Sequence, residues 1–226
     1  MVRLVLFDID GTLIHTDGAG IKAFGRAFEL QNKIANGTAG MTFSGRTDSG
    51  LAREMFCRHG VEPSAERLQL FFEYYTFWLA HLLNESKGDI FPGVWRLINE
   101  LQSLPDPPLL GLLTGNIRLG AEIKLRHFNL WEFFTLGAFG DDHEDRNEIA
   151  ALAHARGQRL LKKPLRGEEV LVIGDTPLDI ACGRAIGAKV LAVATGDFSR
   201  AELESHRPAW TVADLGGVSA RELCKR

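Results

Sequence analysis

The stretch Arg3-Leu4-Val5-Leu6-Phe7-Asp8-Ile9-Asp10-Gly11-Thr12 decides the fold. Residues 3–7 form a short, mostly apolar run that is typical of a buried parallel strand. Two aspartates end the run, and Gly11 lets the backbone turn sharply after them. The carboxyl end of such a strand is the edge where open α/β sheets bind ligands. Because the chain is extended here, Asp8 and Asp10 can point toward one pocket, which suits a carboxylate nucleophile with an acid/base partner and a hard metal ion.

The composition fits one domain with a large insertion, or two small domains. The 226 residues are 45% hydrophobic, which allows a sizeable core, and the net charge of −3 gives no reason to expect nucleic acid or an anionic membrane. Asp8 and Asp10 interrupt the early apolar run, which argues against a signal peptide, and no stretch is long enough to span a membrane. The three distant cysteines indicate neither a zinc site nor a disulfide framework. We therefore expect a cytoplasmic protein without nucleic-acid or membrane partners; its oligomeric state is not predicted.

The segment 15–88 has an all-helical pattern. Capping residues and a 3.6-residue period predict helices over roughly 17–31, 48–59 and 63–84. The third helix carries an aromatic and apolar stripe made of Phe71, Tyr74, Tyr75, Trp78 and Leu82. We interpret the stripe as the core of a helical bundle and not as a substrate-binding wall, because such stripes usually form cores.

Strands and helices alternate beyond this segment. Apolar runs predict strands over 109–113, 133–135, 169–173 and 190–196, and an edge strand over 210–212. Helical patterns between them cover roughly 92–104, 118–127, 146–161 and 177–186, with short helices after Ser199 and at the C terminus. The sequence therefore predicts an α/β fold into which a helical segment is inserted after the first strand.

Two further strand ends carry polar residues. The run 109–113 ends in Thr114-Gly115-Asn116, where a hydroxyl and backbone N–H groups at a helix start suit a phosphoryl oxygen. The later run ends in Gly174-Asp175, with Asp179 four residues further on. We expect Asp175 to face the first two aspartates across the sheet edge, giving oxygen ligands appropriate to Mg²⁺. Asp179 is either an ordinary first-turn helix acid or a support of the metal site, and its spacing favours the support.

Together these motifs resemble the signature of the haloacid dehalogenase (HAD) superfamily, in its phosphatase branch near phosphoglycolate phosphatases. The run Asp8-x-Asp10-Gly11-Thr12 resembles the first motif, Thr114 the second, and Gly174-Asp175-x-x-x-Asp179 the fourth. The resemblance implies a HAD-like, Rossmann-like parallel-sheet core formed by residues 1–14 and 89–226. It also implies an α-helical cap domain formed by residues 15–88.

The family's third motif is a cation, for which the sequence offers two candidates. Lys163 lies in a Lys-Pro pair like the family's, but only 12 residues before Asp175, too few for the crossover that must separate them. Arg146 lies 29 residues before Asp175 and at the predicted start of a helix. We choose Arg146, although the family more often has lysine and the residue is alternatively a plain surface arginine.

The resemblance also implies a mechanism. Asp8 attacks phosphorus and forms an aspartyl-phosphate, while Asp10 protonates the leaving alcohol and then activates water. Thr114 and Arg146 stabilise the phosphoryl oxygens. The implied cofactor is Mg²⁺, and the residues predicted for its site are Asp8, Asp10 through its backbone carbonyl, Asp175 and Asp179.

The predicted partner is a small phosphorylated metabolite beneath the cap, phosphoglycolate-like or a sugar phosphate. The loops that follow the first two motifs are expected to contact it through Gly11, Thr12, Gly115 and Asn116. Arg46, in the loop Gly45-Arg46-Thr47-Asp48, is either a contact to a substrate carboxylate or phosphate, or a solvated loop arginine.

Three other functions stay open. A mutase resembling β-phosphoglucomutase shares all four motifs and the cap position. A catalytically silent binding module would need to lose only Asp8, and all the charged positions are present. A dehalogenase is disfavoured by Asp10, because a halide leaving group needs no proton.

Overall fold

A six-stranded parallel sheet forms the centre of the computed structural model, which describes residues 1–225. In chain order its strands are β1 (Leu4–Phe7), β4 (Leu109–Leu113), β5 (Leu136–Ala138), β6 (Val170–Gly174), β7 (Lys189–Val193) and β8 (Trp210–Val212). Their spatial order is β5-β4-β1-β6-β7-β8. The first strand is thus flanked by β4 and β6, so the strand order reverses beside β1, where α/β sheets form their binding crevice. The predicted α/β fold with a parallel sheet is confirmed.

Helices cover both faces of the sheet. One face packs on α4 (Val94–Gln102), α5 (Arg118–His127) and α9 (Ala220–Cys224), and the other on α6 (Arg146–Leu161), α7 (Pro177–Ala185) and α8 (Arg200–Ser205). Side chains of β1 alternate between the two faces: Val5 and Phe7 join the first cluster, Leu4 and Leu6 the second. Burial on both sides explains why β1 is a continuous apolar run without polar alternation.

A bundle of three helices surrounds a third hydrophobic cluster. Its helices are α1 (Ala19–Asn32), α2 (Asp48–Arg58) and α3 (Ala65–Glu85). Phe71 and Tyr75 of the aromatic stripe are fully buried, and their rings contact Phe24 at centroid distances of 5.1 and 4.7 Å. The interpretation of the stripe as a bundle core agrees with this packing. Ile117 is the buried residue that the sheet domain contributes to the cluster.

The bundle leaves and rejoins the sheet domain through a short antiparallel ribbon that the sequence analysis did not predict. Its strands are β2 (Ile14–His15) and β3 (Asp89–Ile90), with Ile14 paired to Ile90 and His15 to Asp89. Strands of two residues are too short to show a period of two. The division into a core of 1–14 and 89–226 and a cap of 15–88 stays a prediction, which this ribbon and the separate cluster support.

Two predicted elements are displaced. The strand predicted over 133–135 lies at β5, three residues later, and Trp131–Phe133 form a 3₁₀ turn. The aromatic side chains of that turn pack against the sheet cluster, so the local run looked like a buried strand although its backbone is not extended. The helix predicted from Pro92 begins at Val94, because Gly93 at φ +83° caps it.

Candidate active site

Four predicted residues meet at the carboxyl edge of the sheet. Asp8 and Asp10 follow β1, Thr114 follows β4 and Asp175 follows β6, and all four line one cavity of about 400 Å³. Residues of the helical bundle, among them Phe43 and Arg46, close its other side. The site therefore lies between the sheet edge and the bundle.

Three buried carboxylates form a cluster at this edge of the sheet, and two of them, Asp8 and Asp175, line the cavity. Asp8, Asp175 and Asp179 each offer an oxygen, and these atoms lie within 4.8 Å of one another. Burial raises the pKa of Asp8 to about 7, an effect that the Arg146 guanidinium opposes, and it raises the pKa of Asp175 well above its usual range. A divalent cation would offset the repulsion between these closely spaced carboxylates. A few carboxylate oxygens are also the donor set that Mg²⁺ uses. The residues present therefore fit the implied metal.

Two glycines and a threonine shape the chain around Asp175. Gly11 has φ +79°, and a Cβ there would lie 2.3 Å from an Asp175 oxygen; a Cβ on Gly196 would lie 1.8 Å from it. Thr12 is fully buried and donates its hydroxyl hydrogen bond to Asp175 Oδ1 at 2.9 Å. Thr12 is not among the residues that line the cavity, and its hydroxyl orients Asp175, so the substrate contact by Thr12 stays a prediction.

Arg146 begins α6 and is buried beside Asp8 and Asp179. Its guanidinium lies 3.5 Å from Asp8 Oδ2, pairs with Asp179 Oδ1 and donates to the Gly45 carbonyl at 3.2 Å. The other oxygen of Asp179 accepts from the backbone N–H and hydroxyl of Thr176, which caps α7. Asp179 therefore both caps a helix and orients Arg146 toward the site. Lys163, the alternative cation, is exposed and does not line the cavity.

Asp10 is separate from the carboxylate cluster and belongs to a second network. Its Oδ2 lies 2.6 Å from Lys124 Nζ and accepts a hydrogen bond from Asn116 Nδ2 at 2.8 Å. The same amide donates to Thr114 Oγ1 at 2.9 Å. The Asn116 side chain, predicted to contact substrate, is thus engaged with Asp10 and Thr114. Lys124 is a residue that the sequence analysis missed.

The bundle reaches the sheet edge through the loop before α2. The backbone N–H of Asp48 donates to the Gly115 carbonyl at 2.7 Å, and Asp48 Oδ2 accepts from the Ile117 N–H at 2.9 Å. Gly115 has no space for a side chain, since a Cβ would lie 2.1 Å from the Arg46 carbonyl oxygen. Its role in this structure is thus close packing between the loop after β4 and the bundle.

Arg46 lines the cavity, yet its guanidinium already has a partner. It lies 2.6 Å from Glu54 Oε2, and Glu54 in turn lies 2.7 Å from Arg58. His15, the histidine nearest to the first motif, also lines the cavity but contacts the ring of Phe91. The structure thus brings the predicted catalytic and metal-site residues together. Arg46, in contrast, forms an ion pair with Glu54 of the bundle.

Comparison with known families decides the class of protein. A family model described as haloacid dehalogenase-like hydrolase matches residues 5–193, a range that contains every predicted catalytic and metal-site residue. The chain belongs to this family. It is therefore an enzyme, a HAD-like hydrolase, and the predicted family is confirmed.

Individual relatives of this HAD-like hydrolase are distant. Phosphoglycolate phosphatase of Pectobacterium atrosepticum is 26% identical over 198 residues, covering 86% of this chain and 81% of the relative. Pyrophosphatase PpaX of Bacillus cereus is 27% identical over 209 residues, covering 92% and 90%. A crystal structure of CbbY from Rhodobacter sphaeroides with xylulose-(1,5)-bisphosphate has a TM-score of 0.76 at 19% identity and covers both chains completely. The structural likeness shows that the HAD-like fold is shared.

Proposed function

We propose that this HAD-like hydrolase is a Mg²⁺-dependent phosphatase that hydrolyses a small phosphate monoester through an aspartyl-phosphate. The observation that carries the proposal is the pair of separate networks around Asp8 and Asp10. Asp8 belongs to a buried cluster suited to a metal, whereas Asp10 lies 43% exposed at the cavity and away from that cluster. The buried cluster suits a nucleophile held beside a metal, and the exposed Asp10 can reach the leaving oxygen and water as acid and base.

The reaction follows from the positions of the side chains. An Asp8 oxygen attacks phosphorus while the bond from phosphorus to the leaving oxygen breaks, and Asp10 gives that oxygen its proton. Asp10, now a carboxylate, then takes a proton from water as the water oxygen attacks phosphorus, and the bond from phosphorus to Asp8 breaks, which releases inorganic phosphate and restores Asp8. The second step returns the proton that Asp10 lost in the first, so one residue serves as acid and as base.

Charge on the transferred phosphoryl group requires compensation from the site. The Arg146 guanidinium and the Thr114 hydroxyl lie beside Asp8, where the phosphoryl oxygens would be held during transfer. Mg²⁺, held by Asp8, Asp175 and the backbone carbonyl of Asp10, would supply further positive charge at these oxygens. Asp179 would support the metal site indirectly, since it orients Arg146.

The proposed substrate is small because the helical bundle covers one side of the cavity. A volume of about 400 Å³ accommodates a phosphorylated metabolite of a few carbon atoms, and a larger macromolecular phosphate would require the bundle to move away. Relatives named phosphoglycolate phosphatase and pyrophosphatase agree with small phosphorylated substrates. Phosphoglycolate-like and sugar phosphates remain the substrate classes to test.

The deciding experiment measures phosphate release from a panel of small phosphate esters, with Mg²⁺ and with a chelator. We expect release that requires the metal, and loss of nearly all turnover in Asp8→Asn while the circular dichroism spectrum stays native. Substantial turnover by Asp8→Asn would contradict the nucleophile assignment. Transfer of phosphate to a sugar in preference to water would instead identify a mutase.

A further inference from the structure

Lys124 is a buried lysine beside the proposed acid/base. It lies in α5, its side chain is only 5% exposed, and its Nζ lies 2.6 Å from both Asp10 Oδ2 and Asn116 Oδ1. A buried ammonium group is costly unless it is paired and hydrogen-bonded. The two short contacts therefore account for its burial, and they direct the lysine's charge to a single carboxylate oxygen.

Asn116 contacts that same carboxylate oxygen. Its amide accepts from Lys124 and donates to Asp10 Oδ2, so the three side chains form a closed triangle of hydrogen bonds. Asp10 Oδ1 accepts no hydrogen bond from the part of the chain that the structure describes. With Oδ2 fixed by two donors, the orientation of the carboxyl plane is set, and Oδ1 is left for the substrate.

The helical bundle covers the other side of the lysine. Gly20 of α1 faces it, and a Cβ on that glycine would lie 3.4 Å from Lys124 Nζ. The ammonium group is therefore enclosed between α5 and the bundle, with little freedom to turn toward a phosphoryl group. This enclosure distinguishes it from Arg146, which lies beside the nucleophile.

We propose that Lys124 is a positioning residue for Asp10. Together with Asn116 it holds Oδ2, so that Oδ1 delivers the proton to the leaving oxygen and later receives one from water. Lys124 itself transfers no proton in this proposal, and it acts through its contact with Asp10 Oδ2. This inference rests on the proposed phosphatase function, and extends it to a residue outside the four motifs.

The test compares two esters that differ in their need for a proton. An alkyl phosphate releases an alkoxide unless it is protonated, whereas 4-nitrophenyl phosphate releases a phenolate that leaves without help. Because kcat/KM reports the step in which the leaving group departs, Lys124→Met should lower kcat/KM for the alkyl ester by roughly a hundredfold, the scale of general-acid catalysis. For 4-nitrophenyl phosphate, kcat/KM should fall by at most about tenfold.

Two further variants separate positioning from folding. Lys124→Arg retains the charge, so it should fold and recover part of the alkyl-ester activity. Lys163→Met, a change at an exposed lysine away from the cavity, should behave like the wild type toward both esters. If Lys124→Met does not fold, Lys124→Gln, which keeps a hydrogen-bond donor but loses the charge, takes its place, and a ratio of the two kcat/KM values equal to the wild type's in that variant would overturn the proposal.

Each outcome has a distinct meaning. Equal losses for both esters would show that Lys124 binds substrate or maintains the site as a whole, and would refute the positioning role. An unchanged alkyl-ester rate would refute it as well. If the wild-type enzyme hydrolyses neither ester with Mg²⁺, it is the proposed function that fails, before any variant is compared.

Discussion

At the scale of single residues, the first prediction concerns whether Arg46 binds substrate. Its guanidinium is already paired with Glu54. If Arg46 is to bind a substrate carboxylate, it must first leave Glu54. Glu54→Gln removes that competing charge, so we expect kcat/KM for phosphoglycolate to rise about tenfold, equivalent to about 1.4 kcal/mol. Ethyl phosphate, which lacks the carboxylate, is the matched substrate and should show no change. A rise for both esters, or for neither, would argue against a carboxylate contact by Arg46.

Asp48 gives a prediction on pH and stability. Burial raises its pKa to about 7 from an ordinary 3.8, although the nearby Lys124 opposes the shift. Between about pH 4 and about pH 7 the folded protein thus holds a proton that the unfolded chain releases, so this group makes the free energy of unfolding fall as pH rises. Each unit of difference in pKa is worth about 1.4 kcal/mol.

Asp48→Asn should remove this loss of stability with rising pH. The amide oxygen of the asparagine still accepts a hydrogen bond from the Ile117 N–H, but the amide does not ionise. Denaturant titrations across that pH range should show the variant gaining stability relative to the wild type up to about pH 7, and a constant difference above it. Parallel stability curves for the two proteins would contradict a raised pKa at Asp48.

The residue scale also shows where sequence patterns stop being informative. Asp8, Asp10 and Asp175 were predictable because each ends an apolar strand, and parallel strands bring their carboxyl ends to one edge. Lys124 lies inside a charged helix among other basic residues, and nothing local distinguishes a buried lysine from a solvated one. Its burial depends on how α5 packs against the bundle, which is a property of the tertiary structure.

At the scale of elements, the aromatic stripe of α3 separates core from surface within one helix. Phe71 is fully buried against Phe24 and Phe56, whereas Phe77 is 66% exposed. Phe71→Ala should therefore lower the free energy of unfolding by about 3–5 kcal/mol. Phe77→Ala, the same change on the opposite face, should alter it by less than about 0.5 kcal/mol. Denaturant unfolding measures both, and similar values for the two variants would contradict the core interpretation.

A helix or strand was predictable from the sequence where its hydrophobic period extends over several turns or residues. The helix predicted over 118–127 and the strand over 109–113 agree with α5 and β4 residue for residue. The ribbon of β2 and β3 escaped prediction because two residues carry no period, and β5 was misplaced by the aromatic run before it. In both cases long-range pairing, which a local pattern does not contain, defines the strand.

At the scale of the whole molecule, the three hydrophobic clusters support the predicted domain boundaries, although Ile117 of the sheet domain belongs to the bundle cluster. The two clusters on either side of the sheet contain no residue of 16–88, and the bundle has a cluster of its own. No helix among residues 1–225 is long and apolar enough to cross a membrane. We therefore propose that the bundle is an insertion that the sheet domain does not need for its own core, and removal of the bundle tests this proposal.

Removal of residues 16–88 should leave a folded sheet domain. His15 and Asp89 are paired neighbours in the antiparallel ribbon, so a two-residue Asn-Gly turn joins them as a hairpin without moving either strand. Ile117, which loses its cover, requires a polar substitution. We expect a single cooperative unfolding transition and a circular dichroism spectrum with less helix. The shortened protein should also discriminate less between phosphate esters of different size, because the wall opposite the sheet edge is gone. An unfolded product would show that the sheet domain depends on the bundle, against the predicted boundaries.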